Sequence, residues 1–394
     1  MTMQSVGPIC LVVLCAGVAC GDDLERVDPC ADPAPGTACT WLGIPGQVGF
    51  NGDGHHRLET KIQWSMNMLF HSDGTVWFID WNNHLLRRVL ADDTVETVVG
   101  WTDPIWPGDG VPDHLDAELD PAGAPGLDVR LNHPTDLVED EHGDVLLMAW
   151  HNHKLRRIER DTGRSHIVCG AGAGYRGDGG PAVDALFKQP VALVRDGAGN
   201  LYIADQQNQR VRRIDTAGII TTIAGSGVQG FAGDGGPAVD AMLNWEIGSN
   251  PEPSGGLALA GRLLYVADTM NHRIRVVDLD SGVIDTVAGT GEAGYGGDGG
   301  PARAAMLDKP HDLEIGPDGD LYLADTNNNR IRAIDLETGV IRTVAGAGPL
   351  GLDEVDGLPA TETMLARPFG IDFDPAGDLY IQDTINSRIL KVTR

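Results

Sequence analysis

Short apolar runs separated by Gly, Asp, Asn or Pro recur along most of the chain. One unit reads KPHDLEIG, DLYLAD, NRIRAID and VIRTVAG between residues 309 and 346. Each run is rich in β-branched and aliphatic residues, and this punctuation is typical of four successive strands. The same succession follows six Asp-Gly pairs, which begin at Asp53, Asp109, Asp178, Asp234, Asp298 and Asp356. A four-strand unit repeated six times predicts an all-β fold, a six-bladed β-propeller.

The two ends of the chain are predicted to close this propeller. The last unit stops at RILKVTR and has no fourth strand, whereas TACTWLGIPGQVGFNGDG, upstream of the first unit, matches ITTIAGSGVQGFAGDG. The segment around Thr40, Trp41 and Leu42 is therefore expected to complete blade six and to remove the open sheet edges of a linear array. On this interpretation the propeller spans residues 40–394.

Three phrases carry a family resemblance. LYIADQQNQRVRRID, LYVADTMNHRIRVVD and LYLADTNNNRIRAID, each followed by TIAG or TVAG, resemble NHL repeats. The resemblance covers roughly residues 40–394 and is strongest in units three to five, whereas units one and two diverge. It supports the six-bladed propeller.

Two repeated motifs are interpreted as architectural. In GDGGPAVDAL we expect Asp178 to accept hydrogen bonds from backbone amides and Pro181 to open a helical turn, so that the phrase joins consecutive blades. Calcium binding by this Asp is the alternative, although one carboxylate per loop supplies few oxygens. In the D-x-x-N-x-R motif, Asp268 is expected to pair with Arg273 across the turn while Asn271 satisfies the turn backbone.

The repeat is broken in blades one and two, and the breaks are rich in aromatic residues. Trp and His replace the usual turn residues, and a long acidic loop adds more of both; six of the eight tryptophans lie between residues 64 and 150. Turns between second and third strands emerge on the same face as the interblade connections, so we predict a binding platform for sugar faces, apolar side chains or cations. Its candidate residues are Trp81, His84, Trp101, Trp106, Trp150, His151 and His153, with Trp245 from a second insertion on the same face. The alternative is that these rings fill space between divergent blades.

A catalytic metal site in the central channel is a second hypothesis. Some six-bladed relatives are metal enzymes, including the amidating lyase and lactonase-type hydrolases, and His311 in KPHDL resembles a channel His of the amidating lyase. A catalytic zinc needs about three protein ligands and an open position. The candidates His133, His311 and Asp312 supply no His trio at equivalent positions. The sequence therefore predicts no catalytic residue and no cofactor, with a structural calcium or a channel zinc as unsupported alternatives.

The N-terminus resembles an export signal. Residues 1–19 contain an apolar run too short to span a membrane, and GVAC places Cys20 where a bacterial lipoprotein carries its lipid. Ordinary cleavage and full secretion is the alternative. Residues 20–39 form a Pro-rich linker in which Cys30 and Cys39 could pair in an oxidising compartment.

The charge balance narrows the choice of partner. Acidic residues outnumber basic ones by 57 to 29, giving a net charge of -28, which opposes binding to nucleic acid. The sequence predicts a monomeric, non-catalytic binding scaffold in the cell envelope or outside the cell, touching a membrane only through a lipid on Cys20. Its expected ligand is a protein or a polysaccharide. A metal-dependent lyase or hydrolase is the alternative.

Overall fold

Six antiparallel sheets stand around a central channel in the computed structural model, which describes residues 28–101, 123–249, 251–353 and 355–394. The inner strand of each sheet packs against the inner strands of its two neighbours, and the last contacts the first, which closes the ring. The predicted six-bladed β-propeller is confirmed. Cys20 and the predicted signal segment 1–19 lie outside the described residues. Within the described ranges, no helix has the length and apolar character needed to cross a membrane.

The strands of the described residues, in chain order, are β1 (Thr37–Leu42), β2 (His55–His56), β3 (Ser65–Phe70), β4 (Val76–Asp80), β5 (Leu85–Val89), β6 (Thr94–Val99), β7 (Pro134–Glu139), β8 (Val145–Ala149), β9 (Lys154–Ile158), β10 (Ser165–Cys169), β11 (Pro190–Arg195), β12 (Leu201–Asp205), β13 (Arg210–Ile214), β14 (Ile220–Ala224), β15 (Gly236–Pro237), β16 (Leu257–Ala260), β17 (Leu263–Asp268), β18 (Arg273–Asp278), β19 (Val283–Ala288), β20 (Pro310–Ile315), β21 (Leu321–Asp325), β22 (Arg330–Ile334), β23 (Ile341–Ala345), β24 (Leu358–Pro359), β25 (Ile371–Phe373), β26 (Leu379–Asp383) and β27 (Arg388–Val392). Their short 3-10 helices are η1 (Arg57–Glu59), η2 (Trp81–Asn83), η3 (Gly126–Asp128), η4 (Ala182–Asp184), η5 (Gln206–Asn208), η6 (Ala238–Asp240), η7 (Thr269–Asn271), η8 (Ala302–Ala304) and η9 (Thr326–Asn328).

Blades one to five each consist of four consecutive strands: β3–β6, β7–β10, β11–β14, β16–β19 and β20–β23. The two-residue strands β2, β15 and β24 add to the outer edges of blades one, four and six.

Blade six unites the two ends of the chain. It contains β25, β26 and β27, and then β1, which runs antiparallel to β27 with Thr40 opposite Leu390. The predicted closure is therefore confirmed, although β1 begins at Thr37, inside the segment 20–39 assigned to a linker. A disulfide joins Cys30 to Cys39 and so ties the residues before the closing strand to the strand itself.

The GDGGPA phrase lies between consecutive blades. Pro181 precedes the short helix η4, as predicted, and Ala182 and Ala185 pack in an apolar cluster formed by blades two and three. The close approach requires glycine, because a Cβ on Gly177 would lie 2.8 Å from the Cα of Ala185 in a backbone with positive φ. The interpretation of this phrase as a joint agrees with its position.

The carboxylate of the joint binds an arginine, and this corrects the expectation of backbone amides. Oδ1 of Asp178 accepts hydrogen bonds from Nε and Nη2 of Arg212 at 3.0 and 2.7 Å. Nη1 of the same guanidinium is 3.3 Å from Oδ2 of Asp205, and both side chains of this second pair are buried. One arginine of the third strand thus links the second strand to the joint, and the same arrangement recurs at Arg87, Arg275 and Arg332.

The predicted partner of Asp268 was wrong. Asp268 pairs with Arg275, two residues beyond the expected Arg273. The guanidinium of Arg273 instead lies 3.9 Å from the ring centroid of Phe231 and donates to the carbonyl of Asn271 at 3.1 Å. The amide of Asn271 donates to Oδ2 of Asp268 at 2.8 Å, so the turn contributes a side-chain clasp in addition to its backbone bonds.

Candidate functional site

Five non-glycine residues with left-handed backbone stand around the mouth of the channel. Each immediately precedes an inner strand, and these strands line the channel and begin on the face that carries the turns between second and third strands. We call them the mouth residues: Trp64, His133, Gln189, Lys309 and Arg367, with φ between 47° and 62°. Since β-branched or bulky residues disfavour this conformation, neighbouring contacts must hold the backbone in place.

Those contacts come from the turn of the preceding blade. Nδ1 of His84 accepts a hydrogen bond from the backbone N–H of His133 at 3.0 Å, and Nδ1 of His153 accepts one from that of Gln189 at 3.0 Å. Equivalent acceptors are Gln209, His272 and Asn329. His84 and His153 therefore connect neighbouring blades; ligand binding by these two residues stays a prediction.

An aromatic cluster joins blades one and two at the mouth. Trp64 and Trp81 stack with centroids 5.9 Å apart and planes at 16°, and Trp81 lies 4.3 Å from the ring of His133. Trp150 stacks on His151 at 3.9 Å, and Nδ1 of His151 is 3.1 Å from Nδ1 of His133. Burial, followed by the charges of His84 and His151, lowers the pKa of His133 to about 2, so His133 is neutral at physiological pH. The structure brings these predicted residues together around one it had assigned only to the channel.

Trp150 does not offer a ring face to solvent. Its side chain is 1 % exposed, and its Nε1 donates to Oε1 of Gln206 at 3.0 Å. This placement agrees with the space-filling alternative for Trp150 rather than with a platform.

Gln206 passes this connection on to the insertion of blade four, residues 246–256. Its Nε2 donates to the carbonyls of Glu246 and Glu252 at 2.9 and 2.8 Å, and its Oε1 accepts the backbone N–H of Ser254 at 3.3 Å. Trp245, expected on the ligand face, is buried instead, and its Nε1 donates to the carbonyl of Ala267 at 2.7 Å. The insertion is therefore held down at both ends by side chains that break the repeat.

A bidentate ion pair carries the insertion across the mouth to blade six. Nη1 and Nη2 of Arg367 lie 2.9 and 2.8 Å from Oε1 and Oε2 of Glu252, and Nζ of Lys309 is 3.4 Å from Oε2. The hydrogen bonds from Arg367, opposed by partial burial and aided by both cations, lower the pKa of Glu252 to about 2. The carboxylate thus remains ionised and the bridge stays intact at any ordinary pH.

A cavity of about 220 Å³ lies beneath this bridge, between the insertion and blades six and one. The ring of Trp64, which is 36 % exposed, forms one wall, and within the described part of the chain Nε1 of Trp81 is buried without a hydrogen-bond partner. We call it the mouth cavity; its lining residues are Trp64, Met66, Trp81, Pro251, Glu252, Pro253, Arg367, Phe369, Thr384 and Ile385.

A smaller cavity of about 40 Å³ continues along the channel axis. Met66, Pro253 and Phe369 line both cavities, and we call this second one the axial cavity. It also receives His311 and Thr135, whose pKa in the case of His311 falls to about 3, chiefly through burial. His311 is therefore a neutral imidazole.

The far half of the channel is acidic. A cavity of about 280 Å³ is lined by carboxyl groups of three inner strands, and burial raises the pKa of each of them. These groups are Asp136, Asp312, Glu314 and Asp372. The channel thus changes from aromatic at the mouth to acidic at the other end.

The structure separates the three candidate metal ligands. His311 and Asp312 line the axial cavity, whereas His133 packs against Trp81 at the mouth. Over the described ranges, no three His, Cys, Asp or Glu side chains are grouped to hold one metal ion. A channel zinc and a structural calcium stay untested predictions, as does the metal-dependent lyase or hydrolase.

Comparison with known proteins identifies the repeat unit. A family model described as NHL repeat matches residues 307–334. The chain contains an NHL repeat. It is 28 % identical over 295 residues to Protein SUPPRESSOR OF QUENCHING 1, chloroplastic, of Arabidopsis thaliana, covering 72 % of this chain and 27 % of the relative. It is also 28 % identical to NHL repeat-containing protein 2 of Homo sapiens, covering 68 % and 38 % of the two chains. The chain therefore spans well under half the length of these relatives.

Among solved structures, an auxiliary nutrient binding protein from Bacteroides ovatus superposes with a TM-score of 0.61. The sequences are 16 % identical, and the match covers 90 % of this chain and 76 % of that one. Identity at this level shows a shared fold.

The remaining predicted residues lie outside the mouth cavity or outside the described residues. Trp101 packs against Arg130, whose guanidinium is 4.3 Å from the ring centroid, and Trp106 falls in the undescribed segment 102–122. The sequence analysis missed Trp64, Glu252 and Arg367. One signal could have found Trp64: it occupies the position where other blades carry His, Gln, Lys or Arg before the inner strand.

Proposed function

We propose that the protein is a non-catalytic binding scaffold and that its ligand is a polysaccharide held in the mouth cavity. The observation that carries this proposal is the exposed ring of Trp64 in a concave site, backed by the stacked ring of Trp81. Ligand sites are typically concave, mostly apolar and furnished with a few fixed polar groups. The mouth cavity has this composition, with the Glu252–Arg367 ion pair and the indole N–H of Trp81 as polar groups.

A saccharide suits this surface better than a flat protein epitope does. A sugar ring presents an apolar face to an aromatic side chain and hydroxyl groups at its edge, and Trp offers both a large apolar face and an N–H donor. The cavity is a recess beneath the insertion, so a chain end or a single projecting residue fits it, whereas a broad protein surface would touch only its rim. A protein ligand is the alternative outcome of the test.

The location of the protein is proposed to be the cell envelope or the outside of the cell. The signal-like residues 1–19, the lipid-attachment pattern at Cys20 and the Cys30–Cys39 disulfide support this location, since disulfides persist in oxidising compartments. The structurally similar Bacteroides ovatus protein, called an auxiliary nutrient binding protein, agrees with a binding role.

The test compares two tryptophans of equal exposure. Trp64 and Trp101 are 36 % and 37 % exposed, but only Trp64 lines the mouth cavity. The wild type, Trp64→Ala and Trp101→Ala are applied to an array of neutral and acidic polysaccharides. We expect the wild type and Trp101→Ala to bind the same glycans and Trp64→Ala to lose at least about tenfold in affinity, as truncation of a central aromatic anchor does.

Two results would overturn parts of the proposal. Equal binding by Trp64→Ala and the wild type would remove the mouth cavity as the site. If no polysaccharide is bound, but a protein recovered on the wild type is lost with Trp64→Ala, the scaffold stands and its ligand is a protein.

A further inference from the structure

The axial cavity contains two polar atoms whose placement calls for a ligand. Nε2 of His311 and Oγ1 of Thr135 both line the cavity region, and their side chains are 6 % and 5 % exposed. Considering residues 28–101, 123–249, 251–353 and 355–394, neither atom has a hydrogen-bond partner. Buried polar atoms in folded proteins are nearly always paired, and each exception requires an explanation.

Both atoms suit a hydroxyl group. Burial keeps the imidazole of His311 neutral by lowering its pKa to about 3, so that Nε2 either donates or accepts according to its tautomer. A threonine hydroxyl does the same by rotating about its C–O bond. A ligand hydroxyl, itself both donor and acceptor, can satisfy either atom.

The position of the axial cavity fits the ligand proposed above. Because Met66, Pro253 and Phe369 line both cavities, a molecule stacked on Trp64 in the mouth cavity can extend a group past these three residues. The group that enters the narrow axial cavity must be small and polar. This geometry describes a ligand with one apolar face and hydroxyl groups at one end.

The surrounding charges favour a neutral ligand. Asp136 and Asp312 line the axial cavity, and the chain carries a net charge of -28, which disfavours uronates and phosphates. Lys309 and Arg367 at the mouth share the single carboxylate of Glu252, and this local excess of positive charge disfavours an ammonium group.

We propose that the site binds the terminal residue of a neutral saccharide end-on, with the sugar ring against Trp64 and its hydroxyl groups hydrogen-bonded to Thr135 and His311. The proposal rests on the polysaccharide-binding function proposed above and adds to it the class of sugar, the direction of entry and two specificity-determining residues.

The experiment uses small sugars as probes of the full chain. Methyl β-D-glucoside, methyl β-D-galactoside and N-acetyl-D-glucosamine represent neutral sugars, and D-glucuronate and D-glucosamine are their charged counterparts. Binding is measured by titration calorimetry and by tryptophan fluorescence with the wild type, Thr135→Val, Thr135→Ser, His311→Phe and Trp64→Ala. We expect at least one neutral sugar to bind at least about tenfold more tightly than either charged sugar, because leaving a buried polar group unpaired rejects a ligand strongly.

Thr135→Val separates binding from folding. The hydroxyl has no partner in the protein, so its removal should leave the melting temperature unchanged or higher while it weakens the binding of the neutral sugar by about tenfold. Thr135→Ser, which keeps a hydroxyl, should retain most of the affinity, and His311→Phe, which keeps a ring against Phe369, should lose it.

The outcomes distinguish this inference from the proposed function. If Trp64→Ala abolishes sugar binding but Thr135→Val and His311→Phe do not change it, end-on entry is wrong and the scaffold stands. If no neutral sugar binds the wild type, or a charged sugar binds as tightly, the inference is overturned, while the polysaccharide array still decides the proposed function. If Trp64→Ala also leaves sugar binding unchanged, both are wrong.

Discussion

Nε1 of Trp150 donates a 3.0 Å hydrogen bond to Oε1 of Gln206, and through it a residue that breaks the repeat in blade two holds one that breaks it in blade three. The amide of Gln206 then anchors the insertion that carries Glu252 across the mouth. In blades four and five the same position is a threonine, Thr269 or Thr326, which is too short to reach a second loop. The departures from symmetry in blades two and three thus hold the roof of the mouth cavity in place.

Replacing Gln206 by threonine should loosen the insertion without unfolding the propeller. Three hydrogen bonds to residues 246–256 are lost, and the backbone groups they satisfied become free to exchange with solvent. We expect faster hydrogen exchange over residues 246–256 and little change in the other blades. Gln47→Thr, at an exposed position, is the control; protection equal to that of the control would show that Gln206 does not anchor the insertion.

Breaking one buried arginine pair should destabilise the whole ring. Asp268 and Arg275 are both fully buried and 3.3 Å apart, so Asp268→Ala leaves the guanidinium with one carboxylate fewer in a dry interior. The free energy of unfolding should fall by about 3–5 kcal/mol, measured by chemical denaturation. Asp240→Ala, at an exposed position of a joint, should change it by less than about 0.5 kcal/mol. Similar losses in the two variants would contradict this role of the pair.

The disulfide should stabilise the closure of the ring. Cys30 and Cys39 are nine residues apart, and a cross-link of this span removes about 2–3 kcal/mol of chain entropy from the unfolded state. Reducing agent should therefore lower the melting temperature of the wild type, whereas Cys30→Ser/Cys39→Ser should melt at that lower temperature with or without it. A double variant as stable as the oxidised wild type would show that strand β1 is held by its ladder alone.

Most of the fold was predictable because it depends on local repetition. Strand spacing and turn residues recur in every unit, and the unmatched fourth strand near Thr40 predicted how the ring closes. The partner of Asp268 was misassigned because Arg273 and Arg275 point to the same side of one strand, and the sequence does not show that Phe231 attracts the first of them.

The candidate site was predictable only in part, because it depends on contacts between distant segments. The clustering of Trp81, Trp150 and His151 was visible as a break in the pattern, but the burial of Trp150 follows from its bond to Gln206. The bridge from Glu252 to Arg367 joins residues 115 positions apart, and its existence depends on the path of an insertion that has no counterpart in the other blades. Trp64 was overlooked because the position before the inner strand is polar elsewhere.

The acidic half of the channel should make the protein less stable as the pH rises. Burial raises the pKa of Asp312 to about 7 and raises those of Asp136, Glu314 and Asp372 in the same direction. An unfolded aspartate titrates near about 3.9, so between about pH 4 and 7 the folded state binds more protons than the unfolded state. Stability must then decrease with increasing pH across this window, by up to about 1.4 kcal/mol per pH unit for each such carboxyl group.

Asp312→Asn isolates one of these contributions. The amide oxygen can still accept the hydrogen bond from the backbone N–H of Ile371, which Asp312 accepts at 2.9 Å, but it carries no charge at any pH. The free energy of unfolding, measured by urea denaturation from pH 4 to 8, should fall less steeply for Asp312→Asn than for the wild type, and the variant should be the more stable protein at pH 8. Asp184→Asn, at an exposed position, should keep the wild-type slope. Parallel pH profiles for Asp312→Asn and the wild type would mean that Asp312 ionises in the folded channel as readily as in water, with a cation or solvent compensating its charge.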